Sequence, residues 1–331
     1  MKIAEHINPN LFASNVEVAP NRNGFGEGLK EAGEKDVRVV ALVADLTVST
    51  KVDVFQKAFP DRYLEVGITE QSMASVASGM AAMGKIPFIA SYAMFSPGRN
   101  WEQIRTTIAY NGSNVKIIGA HSGISVGPDG ATHQAIEDMG IMRIVPRMVV
   151  IAPCDAHEAK RATLAAATHQ GPVYIRLARE NTPIITTPGT PFTIGKAEVY
   201  LTRDTAHMKK VGIISTGTVL YHALVAGKTL NEAGIGASVM NLATIKPLDE
   251  EAVLRFAKEH EVLVTVEEHQ VMGGLGSTIA EFLSLTLPTR ILRLGIQDKF
   301  GQSGTPEELL RHYGLDHESI VRETQRFLAV N

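Results

Sequence analysis

Short apolar runs alternate with longer stretches of helical period along most of this 331-residue chain. The runs at 37–44, 63–66, 87–90, 115–119, 148–152 and 173–176 predict strands, and the stretches 23–35, 70–83, 99–110, 133–141 and 156–168 predict helices between them. The runs are apolar at nearly every position rather than at every second one, the pattern of a parallel sheet covered on both faces. Segment 180–195, ENTPIITTPGTPFTIG, concentrates Pro, Thr and Gly without a period and reads as a linker. Strand runs resume at 211–215, 237–241 and 263–267, separated by helical stretches at 219–233 and 250–260. The prediction is an α/β protein of two doubly wound domains: the first over 1–183, a linker over 184–195, and a smaller second domain over 196–331.

Composition narrows the class. With 44% hydrophobic and 20% charged residues the chain is expected to be globular and soluble rather than disordered. A net charge of −3 advertises no attraction to nucleic acid or membranes, so the cations that matter should be local, at a phosphate-bearing small molecule. Cys154 is the single cysteine, which excludes an internal disulfide and suits a reducing compartment. Its setting at a strand end followed by a helix start reads as packing. The opening MKIAEHINPNLF lacks a signal peptide's apolar run, and no stretch is long and apolar enough for a membrane span; the expected location is the cytoplasm. The string Gly273-Gly274-Leu275-Gly276 lacks the spacing of a dinucleotide loop and reads as a tight turn.

The chemistry gathers around residues 64–84, LEVGITEQSMASVASGMAAMG. Here an apolar run ends at Gly67, and Glu70 heads a helix built almost wholly of Ala, Ser, Gly and Met. Such a helix should pack closely on something. A carboxylate at a helix start complements the dipole; one held in a poorly solvated interface can also exchange a proton with a bound ring nitrogen. Other segments carry polar or aromatic side chains that, taken singly, read as core packing, structural groups or surface charges: Tyr92 and Phe95 in SYAMFSPGRNWEQIR, His121 at the end of the apolar run in IIGAHSG, Asp129 and His133 in GPDGATHQ, Arg179 in IRLARENTP. Arg22 in APNRNGFG lies ahead of the first helix, and Asp45 and Ser49 fall in ADLTVST. Arginines suit a phosphate because the planar guanidinium donates two bonds at once.

VGITEQ, VGPDGATHQAIEDMGIMR and ADLTVST resemble segments of the transketolase family of thiamine diphosphate enzymes, and they stand in that family's order along the chain. The resemblance covers only that family's C-terminal half, a pyrimidine-binding domain followed by a C-terminal domain, as in the C-terminal subunit of a split, two-chain transketolase. It implies that Glu70 hydrogen-bonds N1′ of the cofactor's aminopyrimidine, that Tyr92 and Phe95 flank that ring, and that Asp45 lies near it. It further implies that Arg22, Ser49 and Arg179 hold a sugar phosphate, that Asp129 reads an acceptor hydroxyl, and that His121 and His133 contact the ketose and handle protons. Two departures stand out. Pro128 replaces the usual Glu of Gly-Glu-Asp-Gly, and Ser96-Pro97-Gly98 stands where many relatives have a third aromatic. The family's Gly-Asp-Gly motif, which holds Mg²⁺ and the diphosphate, does not occur in this sequence. This implies no metal site here, a cofactor shared with an N-terminal partner subunit that binds Mg²⁺, and an α2β2 assembly. The implied reaction moves a two-carbon ketol unit between sugar phosphates. A 1-deoxyxylulose 5-phosphate synthase, a 2-oxo acid dehydrogenase β chain and a non-catalytic homologue remain as alternatives.

Overall fold

The computed structural model describes residues 1–203 and 210–330. Its first sheet has seven strands in the order Thr244–Lys246, Val149–Ile151, Val173–Arg176, Lys116–Ala120, Ile86–Tyr92, Val39–Val43, Tyr63–Glu65. All pair in parallel except the antiparallel edge strand Thr244–Lys246. Val39–Val43 and Lys116–Ala120 are buried at every position, as the unbroken apolar runs predicted for a sheet covered on both faces. The second sheet runs Lys2–Ile3, Glu198–Thr202, Gly236–Asn241, Lys210–Ser215, Val262–Gln270, Arg290–Ile296. Its first two pairings are antiparallel and the remaining three parallel, so that Glu198–Thr202 alone runs against the other five strands.

The sheets exchange edges. The N-terminal strand Lys2–Ile3 completes the second sheet, and Thr244–Lys246 completes the first. One apolar cluster runs from Met73 and Ile89 through Met139 and Met142 to Leu242, Phe256 and Leu275, so the two units share packing. Within 180–195, Asn181–Pro183 pairs antiparallel with Val18–Pro20, and the buried Asp155 carboxylate accepts from the amides of Ile185 and Thr186. Part of the stretch read as a linker is thus pinned to the first unit, because Asp155 also caps the helix Ala156–Thr168 through the Glu158 amide.

That helix lies against Asn21–Lys35, and glycine sets the distance. A Cβ at Gly24 would fall 1.7 Å from the carbonyl oxygen of Ala156, which no side chain tolerates. The close approach buries Phe25 and Leu29 completely, each contributing about 2 kcal/mol, and brings Arg22, in the first turn, over the strand ends. The helix Glu70–Ala82 ends where Gly84 takes φ of +83° and the Lys85 amide bonds back to the carbonyl of Met80. Two predicted helices differ. Residues 99–110 form a short turn, Trp101–Gln103, continued by π-helical Ile104–Ala109. The helix expected over 133–141 begins only at Asp138, because Ser122 and Ala135 form a parallel bridge that keeps His133 in a loop. No helix is long and apolar enough to cross a membrane among the described residues.

Candidate active site

Parallel strands deliver their carboxyl ends to one edge of the first sheet, the usual ligand edge of an open α/β fold. Val39–Val43 leads to Asp45 and Ser49, Tyr63–Glu65 to Glu70, Ile86–Tyr92 to Tyr92 and Phe95, Lys116–Ala120 to His121, and Val173–Arg176 to Arg179. Glu70 is 1% exposed. Its Oε1 accepts from Ser91 Oγ at 3.2 Å and its Oε2 from Arg99 Nη1 at 2.7 Å, while Asn100 Nδ2 donates to its carbonyl. Arg99 itself is 45% exposed, so the carboxylate is closed by a side chain with one end in water.

An aromatic cluster stands beside it. Tyr92 stacks on His121 at 3.9 Å between ring centroids and on Phe95 at 6.0 Å, and His133 meets the Phe95 ring edge-on at 5.6 Å. Arg22 Nη1 donates to the Ser49 carbonyl at 2.6 Å and lies 3.4 Å from His121 Nε2. Guanidinium has no acceptor, so His121 Nε2 accepts and the ring proton sits on Nδ1, a buried atom with no protein partner. Burial first, then the charges of Arg22, Arg179 and His133, depress the His121 pKa to about 3, which keeps the ring neutral. The His121 backbone is held at φ of +52° and that of Asp45 at +57°, a conformation costing a non-glycine residue about 1–2 kcal/mol. The pKa of Arg22 is lowered by burial, partly offset by Tyr92, and Arg179 adds to the lowering.

Arg179 donates to the Val126 carbonyl at 2.8 Å and reaches Asp129 Oδ1 at 3.4 Å. The loop carrying Asp129 is held from the other unit: the Ser125 amide donates to Glu268 Oε1, and Gln134 Nε2 donates to the carbonyls of Ile124, Gly127 and Gln302. Asp45 stands apart, its carboxylate without hydrogen bond or ion pair among the described residues. Its amide and that of Gly67 donate to Glu65 Oε1, so Glu65 ties the Asp45 turn to the approach to Glu70. Burial would raise the Glu65 pKa, but these two amides, with Tyr63 and Thr47, hold it below the usual value. Sequence reasoning missed Glu65, Arg99 and Glu268. Only Arg99 left a signal, a cation just ahead of a helix start, where the dipole disfavours it. No group of three or more His, Cys, Asp or Glu is placed to hold a metal among the described residues.

The Gly-rich turn at 273–276 opens the helix Leu275–Thr286, whose first amides, Leu275 and Gly276, donate to the buried Glu267. An internal carboxylate already fills the position a phosphate would take.

Comparison with known proteins decides the family. Residues 18–184 match the description "Transketolase, pyrimidine binding domain" and residues 201–320 match "Transketolase, C-terminal domain". The chain belongs to the transketolase family. It is the C-terminal section of a split transketolase, carrying the pyrimidine-binding and C-terminal domains. A protein of Methanocaldococcus jannaschii provisionally described as a transketolase C-terminal section is 45% identical over 91% of this chain and 94% of its own length. The 6-deoxy-6-sulfo-D-fructose transketolase subunit of Clostridium sp. is 42% identical, over 91% of this chain and 92% of its own. An apulose-4-phosphate transketolase subunit of Phocaeicola vulgatus is 35% identical, over 93% and 97%. Among solved structures, a split-gene transketolase described as an inactive β4 tetramer superposes with a TM-score of 0.86 at 41% identity, over 94% of this chain and 99% of that one. The Campylobacter jejuni transketolase shares the fold at a TM-score of 0.80 and 20% identity, this chain spanning 50% of it. Transketolases are thiamine diphosphate-dependent transferases. The residues present fit one part of that cofactor: a buried carboxylate beside stacked aromatic rings, with the unpartnered His121 Nδ1 close by.

Proposed function

We propose that this chain moves a two-carbon ketol unit from a ketose phosphate to an aldose phosphate, working with a partner chain that carries the diphosphate domain and Mg²⁺ in an α2β2 assembly. The observation that carries the reading is Glu70, a buried carboxylate at a strand's carboxyl end, set beside Tyr92, Phe95, His121 and two arginines. Bound thiamine diphosphate would supply a nucleophilic carbon able to break and remake a bond next to a carbonyl. Glu70 would hold a proton at N1′ of the aminopyrimidine, and Tyr92 and Phe95 would give that ring a platform, with Asp45 at its rim. His121, neutral and with its proton on Nδ1, would donate a hydrogen bond to a substrate oxygen; His133, half-buried and in a loop, would move the proton. Arg22, positioned by the Ser49 carbonyl, and Arg179 would hold the anionic end of the sugar, leaving Asp129 to read a hydroxyl. The relatives' named substrates, a sulfosugar and a sugar phosphate, both end in such an anion.

The test is reconstitution with a partner chain containing Gly-Asp-Gly and a downstream Asn, followed by assay of ketol transfer from a ketose phosphate. Transfer that needs both chains and the cofactor supports the reading. A stable assembly without transfer for any ketose phosphate rejects it.

A further inference from the structure

Arg99 occupies two positions at once. Its Nη1 donates to Glu70 Oε2 at 2.7 Å, and its guanidinium carbon lies 4.8 Å from the centre of the Phe95 ring. The carboxylate and the ring face it covers are the two surfaces that the proposed function gives to the aminopyrimidine, and the inference rests on that reading. A guanidinium and an aminopyrimidine share what matters here: both are planar, both stack on an aromatic face, and both hold a proton between a nitrogen and a carboxyl oxygen. The guanidinium does so as an N–H donor, and N1′ as the ring nitrogen that shares the proton of Glu70. The other contacts of Glu70 differ in kind. Ser91 and Asn100 are buried and come from fixed positions, whereas the Arg99 side chain is 45% exposed and can swing into water without leaving its own charge buried and unpaired. We infer that Arg99 is an internal stand-in for the cofactor ring, closing Glu70 until the aminopyrimidine displaces it. The consequence is a tax on affinity: the ring binds only the fraction of chains in which Arg99 has moved away.

The 331-residue chain, titrated with 4-amino-5-hydroxymethyl-2-methylpyrimidine and followed by NMR, tests this without a diphosphate or a metal. Thermal melts of each variant confirm that it is folded. Arg99→Gln is expected to bind the pyrimidine about tenfold more tightly than the wild-type chain, Arg99→Lys to fall between them, and Glu70→Gln/Arg99→Gln to lose the gain. If Arg99→Gln binds no more tightly than wild type while Glu70→Gln weakens binding, Glu70 keeps its role and the stand-in is overturned. If Glu70→Gln binds as well as wild type, the reading of Glu70 falls and takes the inference with it.

Discussion

Glu70 and Glu267 are both buried carboxylates beside helix starts, one in each α/β unit, and they are closed in opposite ways. Glu267 accepts from two backbone amides, Leu275 and Gly276, that the fold cannot withdraw. Glu70 is closed by Arg99, a side chain that reaches it from the surface. Their surroundings differ as well. Aromatic rings, a neutral histidine and two arginines gather on the side of Glu70, while Gly274 and His269 pack directly on Glu267. Burial is common to both carboxylates; what differs is the partner, fixed backbone amides for Glu267 and a partly exposed side chain for Glu70.

Exchanging the two carboxylates for amides should break the comparison most sharply. In the reconstituted enzyme, Glu70→Gln is expected to lower kcat on the order of 1,000-fold with little change in melting temperature, since proton transfer by a placed side chain is worth roughly 100- to 10,000-fold. A loss below about tenfold would remove Glu70 from proton transfer. A third buried acid, Glu158, should respond to pH. Burial, reinforced by Asp155, raises its pKa from 4.5 to about 7. Between those values the folded chain holds a proton that the unfolded chain has released, so stability falls as pH rises through the window. The drop is about 3 kcal/mol at most, and Glu158→Gln should flatten it in denaturant melts run at pH 5, 6, 7 and 8; an unchanged slope would assign the pH dependence elsewhere.

Glu267→Gln turns an amide group towards one of the two backbone donors and should cost about 2 kcal/mol of stability, with kcat in the assembled enzyme within about threefold of wild type. A large kcat loss with an unshifted melt would erase the contrast with Glu70. The smallest effect is expected from Arg179→Ala, which should raise KM for phosphorylated sugars about tenfold with a minor change in kcat, because a second cation, Arg22, remains. An unchanged KM would take Arg179 out of the anion site.

The central strands were readable because their apolar runs are long and unbroken: the run at 173–176 matches its strand to the residue, and Val39–Val43 lies inside the expected 37–44. Lys2–Ile3 and Thr244–Lys246 were not, since two or three residues carry no period. The helix expected over 133–141 failed for a different reason. GATHQAIEDM has helical composition, but pairing of Ala135 with Ser122 pre-empts its first turns. The same limit applied at the site. Glu70 and His121 could be picked out because each follows a strand run, and Arg179 through the family resemblance of its segment, whereas Arg99 left only the mild signal of a cation near a helix start and Glu268 left none until its partners are known.

Local pattern alone determined that the chain makes two α/β units and that a carboxylate heads a small-residue helix at a strand's end, because those features depend on neighbours a few positions away. The order of the strands decided the rest. Val39–Val43 beside Ile86–Tyr92 beside Lys116–Ala120 is what sets Tyr92 on His121 and carries Arg22 to the same edge. Docking of the second unit is what fixes the Asp129 loop through Glu268 and Gln302. Such contacts join residues scores of positions apart, and their energy exists only once the whole sheet has closed around them.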